Sequence, residues 1–311
     1  MITVVIPLYN KALTIVRCLD SVSSQSELPD ELIIINDGSN DESLNIVEDW
    51  IAKNTIINSR IFDQLNKGVS YTRNKGVALA SNNFVAFLDA DDEWDRDFIY
   101  NVKKVIQMNQ DISLVTCKHR ICDEILGSYI PKQYFGSNEI GLVNNYLLLS
   151  RDNEVVNSSK VVVNKLYFEK VGGFPEDAIV AEDLYLWIRL SECAPIGYCN
   201  KLLATIYQSP DHSRNSRVGQ VPYPITYYSL LNNHSNIEND LYLLLWSIHL
   251  KHILGSCATN RKEAFIRIKS GLKLFKVRGF LLFSLLLVPE FIFNQIRILR
   301  RKKLISLNEG H

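Results

Sequence analysis

Residues 84–95 read FVAFLDADDEWD, five apolar residues followed directly by a segment in which five of seven positions are acidic. A short apolar run of this kind is typical of a strand buried in a sheet that helices cover on both faces. Carboxylates at this density repel one another, so we expect a cation among them.

The residues before this stretch alternate short β-branched runs with helical segments. Strands are expected at residues 2–6, 31–36, 56–62 and 84–88, and helices at 11–24, 41–53 and 69–80. Later strands are expected at 113–118, 155–163 and 202–207, with a helix at 182–193 and mostly helical structure after about residue 222. The repeated strand and helix order predicts an α/β sandwich with a mostly parallel sheet.

Three of the expected strands end in polar clusters: PLYN at 7–10, NDGSND at 36–41 and DADD at 89–92. In sheets of this kind, ligands bind outside the carboxyl ends of the strands. We therefore expect the three clusters to converge on one site.

Asp89 and Asp91, with Asp92 beside them, suit a hard divalent cation such as Mg²⁺ or Mn²⁺, which takes its other ligands from water and substrate phosphates. The chain has no G-x-G-x-x-G after the first strand and no P-loop motif. The charge of a bound phosphate would therefore be neutralised by the metal and by basic side chains. A solvated acidic turn that precedes a helix is the alternative interpretation.

The net charge of the chain is zero, with 34 basic and 34 acidic residues, but the charges are unevenly distributed. Residues 1–260 carry 22 basic and 31 acidic residues, whereas residues 261–303 carry 12 basic and two acidic ones. An acidic body with a basic, apolar tail indicates two different partners. The first residues lack the basic segment of a signal peptide, so we expect the body to stay in the cytoplasm.

Five blocks occur in order along the chain: VVIPLYN, IINDGSND, NKGVSYTRNKGVALA, FLDADDEW and GGFPEDAIVAEDLYLWIRL. Over about residues 1–210 their order and spacing resemble the family 2 glycosyltransferases. The resemblance implies a GT-A type αβα sandwich with a mostly parallel central sheet, here with a helical C-terminal extension. It also implies an inverting transfer from a nucleotide-diphosphate sugar, and we expect the donor of this chain to be UDP-linked.

The resemblance further implies a role for each matching residue on the nucleotide side. Asp37, in the NDGS block, would recognise the base, and Pro7 and Tyr9 would line the same pocket. Arg73 would lie near the nucleotide.

The catalytic and metal roles follow from the same resemblance. Asp89 would face the ribose, Asp91 would hold Mn²⁺ or Mg²⁺, and Asp183 would be the catalytic base. His212 is a second candidate metal ligand, because some members of the family have a histidine at this place. Asp92 has no assigned role. Two further basic residues are candidates for the diphosphate: Arg214 and Arg217.

We expect two parts: a catalytic domain at 1–215 and a helical region at 216–311, with a membrane-associating segment at about 273–303. The apolar run in this segment is short, and basic residues flank it, which favours an interfacial helix on an anionic surface. A core-packing helix and a re-entrant or spanning segment are the alternatives. The interfacial interpretation predicts an acceptor at the inner face of the membrane, such as a polyprenyl-linked glycan.

Two other activities are compatible with an acidic α/β nucleotide site. A nucleotidyltransferase would release pyrophosphate, whereas a catalytically inactive relative would only bind a nucleotide sugar at the membrane. We expect a glycan or lipid-linked acceptor and no nucleic-acid partner.

Overall fold

The computed structural model describes residues 1–124, 127–208, 220–231, 237–293 and 295. Within them, ten strands form one sheet: β1 Ile2–Leu8, β2 Glu31–Asn36, β3 Ser59–Asp63, β4 Phe84–Phe87, β5 Glu93–Trp94, β6 Leu114–Asp123, β7 Gly127–Tyr129, β8 Ile140–Val143, β9 Val161–Asn164 and β10 Ile196–Gln208. The helices are α1 Ile15–Ser23, α2 Ser43–Lys53, α3 Val69–Leu79, α4 Phe98–Met108, α5 Tyr146–Leu149, α6 Lys165–Val171, α7 Glu182–Ser191, α8 Tyr223–Leu230, α9 Asn239–Cys257 and α10 Arg261–Leu281.

The main path of the sheet runs β3-β2-β1-β4-β9-β6-β10-β5. The strands β1 to β4, together with β6 and β10, all point the same way, whereas β9 is inserted antiparallel between β4 and β6. The expectation of a mostly parallel α/β sheet is therefore confirmed. The reversal at β9 brings the start of that strand to the edge where β4 ends.

The sheet is buried on both faces because its strands are apolar almost throughout. In β1, Val5 contributes to the core under α3 and α7, while Val4 and Ile6 contribute to the core under α1, α2 and α4. The α3 helix approaches β1 so closely that a Cβ on Gly76 would lie 2.3 Å from Cγ1 of Val5.

The C-terminal helices are not separate from this core. Ile225 of α8, Leu245 of α9 and Phe275 of α10 belong to the same buried cluster as Trp187 of α7. The boundary at residue 215 stays a prediction. Among the described residues, no helix has the length and apolar content needed to cross a bilayer.

The element expected at 155–163 is wrong in part. The strand expected at 155–163 begins only at Val161, because a 3-10 turn, Ser158–Lys160, precedes it. The side chain of Asn157 accepts a hydrogen bond from the N–H of Ser159, at 2.9 Å, which bends the chain out of the extended conformation.

Candidate functional site

The polar clusters that follow β1, β2 and β4 lie at one edge of the sheet, as expected from their parallel strands. The loops after β1 and β2 are joined directly: the N–H of Asn10 donates to Oγ of Ser39 at 3.0 Å, and the N–H of Asn40 donates to Oδ1 of Asn10 at 2.8 Å. Asn10 has a positive φ of 52°, which turns the chain sharply out of β1. Pro7 is half-buried and Tyr9 is exposed at this edge.

Asp37 is buried and organises the loop before α3. Its Oδ1 accepts hydrogen bonds from the N–H of Lys67 and from Nε2 of Gln64, both at 2.8 Å, and its Oδ2 accepts one from the N–H of Gly68 at 2.9 Å. A carboxylate oxygen accepts up to two hydrogen bonds, so with respect to the described residues Oδ2 retains one acceptor site. The role of Asp37 in base recognition stays a prediction.

Residues 89–92 form a tight turn, called the acid turn below, in which the N–H of Asp92 donates to the carbonyl of Asp89 at 3.0 Å. Three side chains at or just before the first turn of α1 donate hydrogen bonds to backbone carbonyls of the acid turn. Cys18 Sγ donates to the carbonyl of Asp89 at 3.6 Å, Thr14 Oγ1 to that of Ala90 at 3.0 Å, and Arg17 Nη2 to that of Asp91 at 2.5 Å. The α1 helix therefore fixes the backbone from which the carboxylates project.

Arg73 is the cation closest to Asp89. Its guanidinium is almost completely buried, with Nη2 2.6 Å from Oδ1 of Asp89 and Nη1 3.9 Å from Oε1 of Glu182. It also lies over the ring of Phe174, at 5.3 Å from the centroid. Arg73 thus joins the acid turn after β4 to the beginning of α7.

Lys11 is the cation at Asp91. Its Nζ lies 2.7 Å from Oδ2 of Asp91, and both side chains are partly exposed. The N–H of Lys11 donates to Oγ of Ser43 at 2.7 Å, which holds its backbone near the start of α2. The divalent cation that the sequence predicted among the acids stays a prediction. Within the described residues, the basic side chains of Lys11, Arg17 and Arg73 contact the acid turn.

Asp183 lies in the first turn of α7, next to Glu182. The preceding residue, Ala181, has a left-handed conformation with φ 63° and ψ 33°, which is rare for residues other than glycine and marks a constrained bend into the helix. Burial raises the pKa of Asp183, while the nearby Arg73 lowers it and Asp89 raises it further. A raised pKa brings a carboxylate closer to the proton affinity that a general base needs.

Asp92 differs from its neighbours because its side chain is buried. Burial raises its pKa well above the usual value, and the charges of Asp89 and Asp91 add to this effect. Its carboxylate accepts hydrogen bonds from the Ser159 hydroxyl and, at 2.8 Å, from the N–H of Tyr207. Asp92 therefore contacts protein groups rather than an open site.

Three predicted residues, His212, Arg214 and Arg217, lie outside the described residues. In the part that is described, no three His, Cys, Asp or Glu side chains are grouped to hold a metal ion. A cavity of about 750 Å³ lies behind the acid turn, lined by residues that include Arg17, Glu93 and Arg120. Among the described residues, none of the predicted site residues lines this cavity.

Sequence reasoning missed several residues of the site. Lys11 directly follows the polar cluster after β1, and this position in the sequence could have indicated it. Arg17, Ser159 and Tyr207 carry no such local indication, because each reaches the acid turn only through tertiary packing.

Comparison with known proteins places residues 3–152, about half of the chain, in the family model described as Glycosyl transferase family 2. The chain is 36% identical over 121 residues to the uncharacterized glycosyltransferase YibD of Escherichia coli, a match that covers 39% of this chain and 34% of YibD. The chain spans less than half the length of the curated relatives it matches.

Solved structures share the fold. The crystal structure of S. aureus TarS 1-349 has a TM-score of 0.68 at 17% identity and covers 90% of this chain and 82% of its own. The same TarS segment has been solved in complex with UDP-GlcNAc, with a TM-score of 0.56. The mannosyltransferase PcManGT from Pyrobaculum calidifontis, in complex with GDP-Man and Mn²⁺, has a TM-score of 0.56 at 16% identity and covers 91% of this chain and 78% of its own. These likenesses confirm the expected α/β fold.

Proposed function

Because this chain belongs to the family 2 glycosyltransferases, we propose that it transfers a sugar, with inversion, from a nucleotide-diphosphate sugar to a hydroxyl group of a glycan or lipid-linked acceptor. The observation that carries the proposal is the position of Arg73 between Asp89 and Glu182. This buried guanidinium holds the acid turn next to the first turn of α7, where the proposed base Asp183 lies. Donor and acceptor groups would meet at this junction.

Asp183 would act as the general base. It would take the proton of the acceptor hydroxyl as that oxygen forms a bond to the anomeric carbon from the face opposite the leaving group. The bond between the anomeric carbon and the β-phosphate oxygen breaks, and the nucleoside diphosphate leaves with the electron pair. One carboxylate suffices for this reaction, and burial keeps its pKa above the ordinary aspartate value.

The leaving diphosphate needs positive charge. Asp91 offers a partly exposed carboxylate with the hard oxygen atoms that Mn²⁺ and Mg²⁺ prefer, so Asp91 would hold such an ion. A divalent ion would neutralise the leaving diphosphate. Lys11, at 2.7 Å from Asp91, lies where its ammonium group would share this charge, and Arg73 is another cation of the site.

The donor is proposed to be UDP-linked. TarS, whose fold covers most of this chain, binds UDP-GlcNAc, whereas PcManGT binds GDP-Man with Mn²⁺. Recognition of the nucleotide would fall to Asp37, Pro7 and Tyr9, with Asp89 near the ribose.

The function is tested by incubating the purified protein with a panel of nucleotide sugars and Mn²⁺ and identifying the released nucleotide. We expect nucleoside diphosphate, loss of transfer in Asp91→Ala, and unchanged transfer in Asp49→Ala, which removes an exposed acid on α2. Release of pyrophosphate would instead identify a nucleotidyltransferase. Donor binding without turnover would identify an inactive binding protein.

We further propose that the C-terminal region places the enzyme peripherally on the inner face of the cell membrane. The C-terminal face, defined by Val277, Phe280, Leu281, Leu287 and Phe291, consists of apolar side chains that are each at least 64% exposed. Exposed basic residues accompany them in α10: Lys273, Lys276 and Arg278. Such a combination suits an anionic bilayer surface.

Other residues of the same segment pack inward, as the core-packing alternative predicted: Leu274, Phe275, Leu282 and Phe293. The interfacial interpretation therefore applies to the exposed side chains of this segment, and the core-packing interpretation applies to its buried ones. A surface location would bring the enzyme to a lipid-linked acceptor such as a polyprenyl-linked glycan.

The membrane proposal is tested by sedimentation of the full chain with vesicles of phosphatidylglycerol or phosphatidylcholine. We expect binding to the anionic vesicles, and its loss when Phe280 and Leu287 are both replaced by Ser. The control Ile56→Ser, which changes an exposed apolar residue far from α10 in the sequence, should bind as the unaltered chain does. Equal sedimentation of all three proteins would rule out the C-terminal face as the binding surface.

A further inference from the structure

Ser159 lies in the 3-10 turn before β9 and contacts the acid turn directly. Because β9 is antiparallel to β4, with Val161 opposite Phe87, the start of β9 lies beside the end of β4. The Ser159 hydroxyl accepts a hydrogen bond from the N–H of Asp89 at 3.2 Å and donates one to Oδ2 of Asp92. One hydroxyl therefore holds the first and last residues of the acid turn.

Asp92 extends this connection to a third segment. Its other oxygen, Oδ1, accepts a hydrogen bond from the N–H of Tyr207 near the end of β10, at 2.8 Å. Asp92 is 4% exposed and Ser159 is fully buried, so water does not compete for these bonds. The acid turn, the start of β9 and the end of β10 are thus joined through two buried side chains.

The 3-10 turn is itself held in place. The carbonyl of Ser159 accepts a hydrogen bond from Nε1 of Trp94 at 2.7 Å. The next residue, Lys160, is fully buried, and its Nζ donates to the carbonyl of Glu154 at 2.9 Å and to Oε1 of Gln133 at 3.2 Å. These contacts consequently fix the position of the Ser159 backbone.

We propose that Ser159 and Asp92 are positioning residues for the donor site: they hold the acid turn so that Asp89 and Asp91 present their carboxylates to the nucleotide sugar and its cation. This inference rests on the proposed glycosyltransfer. Neither residue need touch the substrate, because each acts through the backbone of the acid turn. Positioning to within about 0.5 Å is what a productive site requires of its supporting groups.

Ser159→Ala is the test substitution, because it removes only the hydroxyl. The N–H of Asp89 and Oδ2 of Asp92 both lose their partner, and leaving buried hydrogen-bonding groups unsatisfied is enough to change an equilibrium by about tenfold or more. We expect the donor KM to rise about tenfold while kcat at saturating donor changes by less than about twofold. Asp92→Asn keeps the shape and one acceptor, and should show a smaller rise.

The matched control is Ser158→Ala, which removes a buried hydroxyl from the same 3-10 turn. Within the described residues, Ser158 makes no side-chain hydrogen bond to the acid turn, so its donor KM should stay unchanged. Thermal unfolding of each variant tests whether the fold is retained.

Amide hydrogen exchange provides a readout that needs no activity. Ser159→Ala should exchange the Asp89 amide about tenfold faster than the unaltered chain, and Ser158→Ala should not. The inference is overturned if this amide keeps its protection in Ser159→Ala, or if kcat falls while KM stays the same.

Calorimetric binding of UDP with Mn²⁺ separates this inference from the proposed function. If no nucleotide sugar is turned over, the proposed function fails, but UDP binding still tests the positioning role. A tenfold weaker affinity in Ser159→Ala then supports it, and an unchanged affinity overturns it.

Discussion

Replacing Arg73 by Met should destabilise the protein substantially, because this buried cation balances two carboxylates. The Arg73 side chain is 5% exposed, and its partners Glu182 and Asp89 are 11% and 33% exposed. Methionine fills a similar apolar volume but removes the positive charge that Arg73 places beside both acids. Breaking a buried ion pair by removing one partner costs about 3–5 kcal/mol.

The lower end of this range is expected, since water reaches a third of Asp89 and screens its charge. A loss of about 3 kcal/mol, divided by a urea slope of about 3 kcal/mol per molar, moves the unfolding midpoint down by about 1 M. Lys103→Met is the matched control. Lys103 pairs with Glu27 at 2.7 Å, but Glu27 is 43% exposed, so the loss should be about 1 kcal/mol or less.

Urea unfolding followed by circular dichroism measures both variants. Adding Glu182→Gln to Arg73→Met removes one of the two carboxylates that Arg73 contacts and should restore part of the lost stability. A midpoint for Arg73→Met equal to that of Lys103→Met would refute the claim that Arg73 is an essential buried counter-charge.

Two further predictions concern Asp183 and the packing of α3. Asp183→Asn should lower kcat by about 10²–10⁴-fold, and wild-type activity should fall with decreasing pH through a pKa that burial raises above that of an ordinary aspartate. Because the pKa of Asp183 is higher in the folded state than in the unfolded state, the stability linked to its proton is present below the unfolded pKa and is lost as the pH rises through the folded pKa. Asp183→Asn should therefore be most stabilising at neutral pH, as measured by urea unfolding. Gly76→Ala should lower the free energy of unfolding by about 1–3 kcal/mol, because the added Cβ would lie 2.3 Å from Val5 Cγ1. Gly255→Ala in α9, where a Cβ meets nothing within 4 Å, should raise it by about 0.5–1 kcal/mol; equal effects of the two substitutions in thermal unfolding would contradict the packing argument.

The first half of the fold follows closely from the sequence. The expected strands and helices at 31–36, 41–53, 69–80 and 84–88 differ from the observed elements by at most two residues at either end. Apolar periodicity is a local property of the sequence, so it can be recognised without knowledge of the tertiary structure. The convergence of Asn10, Asp37 and Asp89 at one edge followed from the same pattern, because parallel strands end on the same side.

The supports of the acid turn did not follow from the sequence. Ser159 lies 67 positions from its partner Asp92, and Tyr207 lies 115 positions away. The turn before β9 and the reversal of that strand bring Ser159 to Asp92, and neither is encoded in a periodic pattern. Because a continuous strand was expected at 155–163, neither the turn nor the position of Ser159 was predicted.

The sequence by itself determined that carboxylates would cluster at the carboxyl edge of a buried sheet, since this conclusion needs only strand polarity. The divalent cation expected beside them stays a prediction. The tertiary structure decided which cation belongs to which acid and which acid faces inward. Arg73 binds Asp89, Lys11 binds Asp91, and Asp92 turns away to Ser159 and Tyr207. These pairings depend on contacts between segments far apart in the chain, and the free energy of burying each charge is fixed only when those segments pack together.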